Sequence, residues 1–374
     1  MAGSRGRVLV GMSGGVDSSV AAALLRDQGW DVTGLFVCLG TAAEADGGSG
    51  CCSPQDAADA RRVAGLLGID LFVLQAAGDF NRVIDRFVAE YAAGRTPNPC
   101  VGCNRDIKFS RLVAQARLLG FDAIATGHYA RVVERGGAPA IARARAREKD
   151  QSYVLFELPL EARAKLLLPL GELPGKGAVR ELAKRLGLPV HDKPDSQEIC
   201  FVGEGGYGAL LAERAPAALT PGPIVDEAGQ EVGRHQGYAL YTIGQRRGLG
   251  GGGGEPRYVT GVEPATATVR VGPRSATLRG GLRAGRASWQ GGLPGDGRVA
   301  LQLRSSPVAA PATVSLDGDG FTARFDAPVA AVAPGQAAVL YDGEVVVGGG
   351  WIEAALPVAS APGPAPLSRR AATR

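Results

Sequence analysis

No stretch of this 374-residue sequence reaches the roughly 18 consecutive apolar residues of a membrane span. Residues 1–6 are short and polar and lack the apolar core of a secretory leader. The chain is therefore expected in the cytoplasm, away from membranes. No fixed period runs through its 56 glycines, which excludes a collagen-like reading and marks them as compositional bias. Net charge is only +4, so overall charge does not announce a nucleic-acid binder. Cysteine is scarce. The six thiols stay mostly reduced in the expected compartment, which reserves them for packing, metal binding or reaction.

What is present is more telling. Residues 131–149 carry basic side chains at 131, 135, 143, 145, 147 and 149 against Glu134 and Glu148. Residues 270–286 carry arginines at 270, 274, 279, 283 and 286 and no acid. Each cluster reads either as a phosphate-contacting face or as a solvated one.

The length calls for two or three domains. Strand-like runs at 8–10, 32–37, 71–74 and 123–126 alternate with helical patterns at 18–28, 55–67, 80–93 and 109–119. That alternation predicts an α/β fold with a doubly wound parallel sheet, whose ligands sit beyond the carboxyl ends of the strands. A hairpin is expected over 130–134 and 140–144, and a last helix over 177–186. After about residue 215 short strands between Gly, Pro and Asp turns take over. The expected organisation is a catalytic domain at 1–214, a small β-rich domain at 215–280, a β-barrel at 281–354 and a disordered tail at 355–374.

Between the first strand and first helix stand Gly11, Met12, Ser13, Gly14, Gly15, Val16, Asp17, Ser18 and Ser19. A glycine-rich turn at a helix N-terminus aims backbone N–H groups and the positive dipole end at one place, where phosphate binds. No Gly-Lys-[Ser/Thr] follows, which excludes a Walker A loop. A serine-capped helix explains one Ser and one Gly but not the whole string. Asp17 either caps the helix or faces Mg²⁺.

Three further segments carry chemistry. Arg95-Thr96-Pro97-Asn98-Pro99-Cys100-Val101-Gly102-Cys103-Asn104 is a double-proline loop with a Cys-x-x-Cys pair, and Lys108 nearby favours thiolate. Asp195-Ser196-Gln197-Glu198-Ile199-Cys200-Phe201 sets a lone cysteine in a polar turn. Lys149-Asp150-Gln151-Ser152-Tyr153 follows the first basic cluster. Cys100 and Cys103 also read as half of a zinc site. Cys38 reads as a packed small hydrophobe, and the Cys51-Cys52 pair has no assigned role.

The SGGxDS string resembles the loop of the PP-loop ATP pyrophosphatases. Together with the three segments, in that order, it closely resembles the MnmA family of tRNA-specific 2-thiouridylases. The likeness runs over almost the whole chain, through Thr126-Gly127-His128-Tyr129, Tyr241-Thr242-Ile243-Gly244-Gln245-Arg246-Arg247-Gly248 and Pro334-Gly335-Gln336. It implies an enzyme that thiolates the wobble uridine of the Lys, Glu and Gln tRNAs. The uridine C2 oxygen is adenylated by ATP with Mg²⁺, and a cysteine persulfide then delivers sulfur. By resemblance, residues 11–18 hold the phosphates, and Val37 and Gly127 the adenosine. Asn98, Pro99 and Cys100 border the target base, and His128, Lys149, Asp150, Gln151, Arg304, Ser305 and Gln336 contact tRNA. Cys103 matches the nucleophile and Cys200 the persulfide carrier, a pair that closes to a disulfide in turnover. The implied partners are tRNA and a cysteine desulfurase or sulfur relay, with the enzyme a monomer.

Two positions depart from the family pattern. Cys100 stands where many relatives carry Asp, so the acid/base role of that Asp does not transfer. Ser305 replaces an aromatic partner of the tRNA-contacting arginine. With Cys100 in place, Cys100, Cys103 and Cys200 also offer the three thiolates of a [4Fe–4S] cluster with an open iron for hydrosulfide, an alternative to the persulfide.

Overall fold

The computed structural model describes residues 5–40, 53–195, 199–203, 205–249, 256–305 and 308–358. Cys51, Cys52 and residues 359–374 of the expected tail lie outside the described residues.

The N-terminal unit runs β1 (Arg7–Gly11), α1 (Val16–Asp27), β2 (Asp31–Cys38), α2 (Pro54–Leu67), β3 (Asp70–Gln75), α3 (Ala77–Ala92), α4 (Pro99–Cys103), α5 (Ser110–Leu119) and β4 (Ala123–Thr126). The hairpin β5 (Ala130–Arg135) and β6 (Ala138–Arg143), α6 (Leu160–Lys165), β7 (Leu166–Leu167) and α7 (Lys176–Arg185) follow. The sheet order is β3-β2-β1-β4-β7, every pair parallel. Along β1, Val8 and Val10 pack into one apolar cluster and Leu9 into another. Both faces of this strand are covered, as a parallel sheet requires. Chain order reverses between β1 and β4, so a crevice opens beyond Gly11 and Thr126, which stand side by side in register.

The α/β expectation holds, with helix and strand positions close to those read from periodicity. The ends of α2 show why: Ser53 and Asp56 form a reciprocal capping box, and Gly68 closes the helix in the left-handed conformation.

After α8 (Gly206–Arg214), β8 (Gly222–Val225), β9 (Glu231–His235), β10 (Tyr258–Glu263) and β11 (Thr268–Gly272) form a four-stranded sheet in the order β10-β11-β8-β9. The last unit comprises β12 (Leu278–Trp289), β13 (Arg298–Gln302), β14 (Ala309–Asp317), β15 (Gly320–Ala330), β16 (Ala337–Asp342) and β17 (Val345–Leu356). Pairing of β12 with β17 closes these six strands into a barrel. β17 runs to Leu356, so Ala355 and Leu356 belong to the barrel rather than to a tail. Extension of the strand satisfies backbone groups that a tail would leave to water.

One arrangement was not expected. The β5–β6 hairpin of the first unit joins the barrel sheet through β17, where Val345 pairs with Ala142. Gln290 of the barrel reinforces the junction: its side chain accepts from Ile141 N at 2.8 Å and donates to Phe156 O at 2.8 Å. No helix among the described residues is long and apolar enough to cross a membrane.

Candidate active site

The turn between β1 and α1 is shaped by close approach. Gly14 has φ 74°, and a Cβ there would lie 2.2 Å from the Asp56 carbonyl oxygen. A Cβ on Gly127, just past β4, would lie 2.6 Å from Ser18 N. The backbone beyond β4 thus rests directly on the first turn of α1. Met12 and Val16 are buried and contribute backbone only. Ser18 Oγ accepts from Ser13 N at 3.1 Å and lies 3.3 Å from Ser13 Oγ. Gly15, the N-cap of α1, supplies no side-chain cap. The first-turn N–H groups are therefore not capped by a side chain, a geometry that suits the phosphates of ATP.

Asp17 does not cap the helix. Its carboxylate accepts from Tyr129 Oη at 2.6 Å and from Lys176 Nζ at 2.7 Å. Lys176 also bridges to Asp195 at 2.7 Å, and Asp195 pairs further with Lys149 and Arg180. Burial alone would raise the Asp195 pKa, but hydrogen bonds from Lys176 and Lys149 outweigh it and hold the carboxyl at about 2. Lys193 grips the other side of the loop, donating to Gly14 O at 3.1 Å, Asp56 at 2.7 Å and Asp59 at 2.8 Å. The segment leading to Cys200 is thus tied to the glycine turn by two charge crossings of opposite sense.

Lys176, Lys193 and Arg180 carry no motif that marks them as site residues, and Tyr129 stands out only as part of the Thr126–Tyr129 string. One signal was available: Lys176 opens α7, where the helix dipole disfavours a cation.

The double-proline segment enters α4 with Asn98 as N-cap, its side chain accepting from Cys100 N at 3.1 Å, and with Pro99 at the first helical position. Residues 104–109 continue as a π-helical turn into α5. Cys100 is exposed and Cys103 is buried. Cys103 belongs to the apolar cluster that also holds Phe80 and Phe87, and Cys200 packs against the same cluster. Phe201 docks its neighbour there, with ring centroids 5.6 Å from Phe80 and 5.1 Å from Phe87.

The barrel clamps this segment. Thr96 N donates to Pro334 O at 2.8 Å, and Gln336 Nε2 donates to Thr96 O at 3.1 Å. Arg304 donates to Ile243 O at 3.0 Å and Ala331 O at 3.1 Å, joining the middle sheet to the barrel. Ser305 next to it is exposed.

Asp150 is buried. It pairs with Arg143 at 2.9 Å and accepts from Ala144 N and from Ser152. Its carboxylate serves the fold and presents no free surface to RNA. Lys149 and Gln151 flank it, and Gln151 accepts from Tyr129 N at 2.9 Å. In the first basic cluster Arg145 pairs with Glu172, and Arg131 and Arg147 share Glu344.

His128 lies 2.8 Å from Thr126 Oγ1 through Nδ1, with Phe109 beside its ring. Desolvation, and then the Lys108 charge, push its pKa down to about 3. A neutral imidazole is expected from pH 8 down to pH 5, read by nitrogen NMR of the ring; protonation near 6.5 would contradict it. The sign follows from linkage. Below about 6.5 the unfolded chain gains a proton that folded His128 refuses, so its contribution to stability falls with pH through that range.

Among the described residues no group of three or more His, Cys, Asp or Glu stands close enough to hold a metal ion. Of the three cysteines named for an iron–sulfur cluster, Cys103 is buried, Cys200 is half-buried and Cys100 is exposed. For the zinc reading, the Cys51-Cys52 pair that could complete the site lies outside the described residues. Asp17 alone fits Mg²⁺, which takes one or two carboxylates and completes its shell with phosphate and water.

A glycine-rich turn at the switch point of a parallel sheet, followed by a small β sheet and a closed barrel, defines a three-part protein of the nucleotide-binding class. Family models match each part: a tRNA methyl transferase HUP domain over residues 6–204, a tRNA methyl transferase PRC-barrel domain over 209–273 and an aminomethyltransferase beta-barrel domain over 279–352. Curated relatives cover nearly all of it. The tRNA-specific 2-thiouridylase MnmA of Chloroflexus aurantiacus is 49% identical over 351 residues, spanning 92% of this chain and 98% of that protein. The protein of the same name from Rhodospirillum centenum is 48% identical over 374 residues, spanning 96% and 95%. The chain belongs to the MnmA family of tRNA-specific 2-thiouridylases.

Proposed function

We propose that this protein converts the wobble uridine of the Lys, Glu and Gln tRNAs to 2-thiouridine. The observation that carries the reading is the glycine turn at the β1/β4 crevice, tied through Lys193 and Lys176 to the segment leading to Cys200, in a chain of this family.

The C2 oxygen of uridine is a poor leaving group. In the first step it attacks the α-phosphorus of ATP and displaces pyrophosphate. Gly11, Ser13, Gly14, Gly15 and Ser18 bind the phosphates, Val37 and Gly127 border the adenosine, and Lys176 neutralises charge beside Asp17. Mg²⁺ at Asp17 supplies further charge neutralisation when bound. Asn98, Pro99 and Cys100 border the extruded base.

In the second step the terminal sulfur of a Cys200 persulfide attacks C2, and AMP leaves with the oxygen. The Cys103 thiolate then attacks Cys200 Sγ, cutting the bond between the two persulfide sulfurs. Sulfur stays on C2, and a Cys103–Cys200 disulfide forms, which an external thiol reduces. A cysteine desulfurase or a sulfur relay reloads Cys200. Lys149, Gln151, His128, Arg304, Ser305 and Gln336 line the path of the tRNA, with Asp150 holding their segment from beneath. The reading places a monomeric enzyme in the cytoplasm.

The test is product stoichiometry with transcript tRNA, ATP and a persulfide donor. AMP, pyrophosphate and 2-thiouridine are expected in equal amounts. ADP and phosphate as products, or AMP formed on a small carboxylate without tRNA, would overturn the reading.

A further inference from the structure

The barrel and the first unit leave a cleft between them behind the Asn98–Pro99 turn. It is a small, partly open cleft, and Arg86, Phe87, Pro99, Arg105, Arg286 and Trp351 are in its wall. Arg286 is unusual. It sits where the register of β12 against β17 slips between Gly285 and Ser288, and it adopts φ 51°. That left-handed conformation favours glycine, and a long side chain is strained there. Its guanidinium stands 5.4 Å from the Trp351 ring centroid and makes no salt bridge among the described residues. Trp351 is held in place, since its indole N–H donates to Glu157 Oε1 at 2.9 Å, while Arg105 pairs with the other oxygen at 2.9 Å. Glu90, the acid in the wall, is neutralised by a two-pronged Arg95 pair at 2.6 Å. The cleft thus combines a fixed aromatic ring, an arginine without an acidic partner among the described residues and the half-exposed Arg86, whose contact with Asp106 at 3.3 Å is a long one. That is the chemistry of single-stranded RNA recognition, with a stacking face beside phosphate-binding cations.

We propose that this cleft binds the nucleotide adjoining the extruded uridine, with its base against Trp351 and Pro99 and its phosphodiester on Arg286 and Arg86. The proposal rests on the tRNA reading above and adds a second subsite to it. The turn that borders the target base forms one wall of the cleft, so a strand delivering its uridine to Asn98–Cys100 passes its next nucleotide here.

The experiment measures binding of an anticodon stem-loop across a salt series. It compares wild type, Arg286→Gly and Arg286→Lys, and it repeats the series with an RNA carrying a neutral methylphosphonate beside the uridine. Arg286→Gly relieves the backbone strain, so its melting temperature should stay level or rise, whereas its RNA affinity should fall about tenfold. Its slope of log K against log salt should flatten by about 0.7, the value of one single-strand phosphate contact. The methylphosphonate should weaken wild type but not Arg286→Gly. Arg286→Lys should keep the salt slope and lose part of the affinity, and it serves as the reporter if the glycine variant folds poorly. Wild-type affinity and slope in both variants, or an equal methylphosphonate penalty in wild type and Arg286→Gly, would overturn the subsite. A wild-type protein that fails to bind the stem-loop at all would overturn the tRNA reading, and the subsite with it.

Discussion

Serine in place of Cys200 is expected to abolish 2-thiouridine formation while tRNA binding and tRNA-dependent pyrophosphate release persist. A hydroxyl cannot carry a transferable persulfide. Loss of a covalent sulfur carrier should cost roughly 10³-fold or more in thiolation. Cys103→Ser should differ in kind. That protein loads sulfur on Cys200, detected as a mass increase removed by thiols, but does not release it as thiocarbonyl. Cys103 is buried, so its melting temperature is measured alongside. Full thiolation by either variant removes the pair from the mechanism, and loss of tRNA binding by both would assign the cysteines to the fold instead.

Asp17→Ala is expected to lower pyrophosphate release by about 10²–10³-fold, the range for deleting one preorganised electrostatic group. The change removes the acceptor of both Tyr129 and Lys176 and with it the charge that fits a metal. The Asp17 side chain is a third exposed, so the melting temperature should move little. Asp17→Asn keeps an acceptor and loses the charge. If charge is what matters, its rate should fall almost as far; a rate close to wild type would assign Asp17 to hydrogen bonding alone, and an unchanged rate in both would remove it from the site.

Much of the fold was legible because its signals are local. Glycine and serine between an apolar strand and an alanine-rich helix specify a turn whose geometry depends on a few neighbouring dihedrals. The helix ends at Gly68 and Gly120 follow from the left-handed conformation that glycine alone adopts freely. The alternation of patterns suffices for a parallel sheet, because a strand–helix–strand crossover leaves few other topologies. Predicted RNA contacts were harder to judge. Gln336, Arg304 and Asp150 were carried over by motif, and each is engaged in this structure with another segment of the chain.

The order of units, the glycine turn after β1 and the cysteine motifs were legible along the chain. Each depends on residues close in the chain or on a motif read in one piece. The folded arrangement settled that the β5–β6 hairpin extends the sheet of the closed barrel through β17, and that Cys103 is buried while Cys100 is exposed. It also decided that Lys176 reaches Asp17 across 159 residues. Such pairings leave no periodic trace, because a charge or an open strand edge finds its partner only when folded elements bring distant segments within a few ångströms, where low dielectric and lost water make the contact matter.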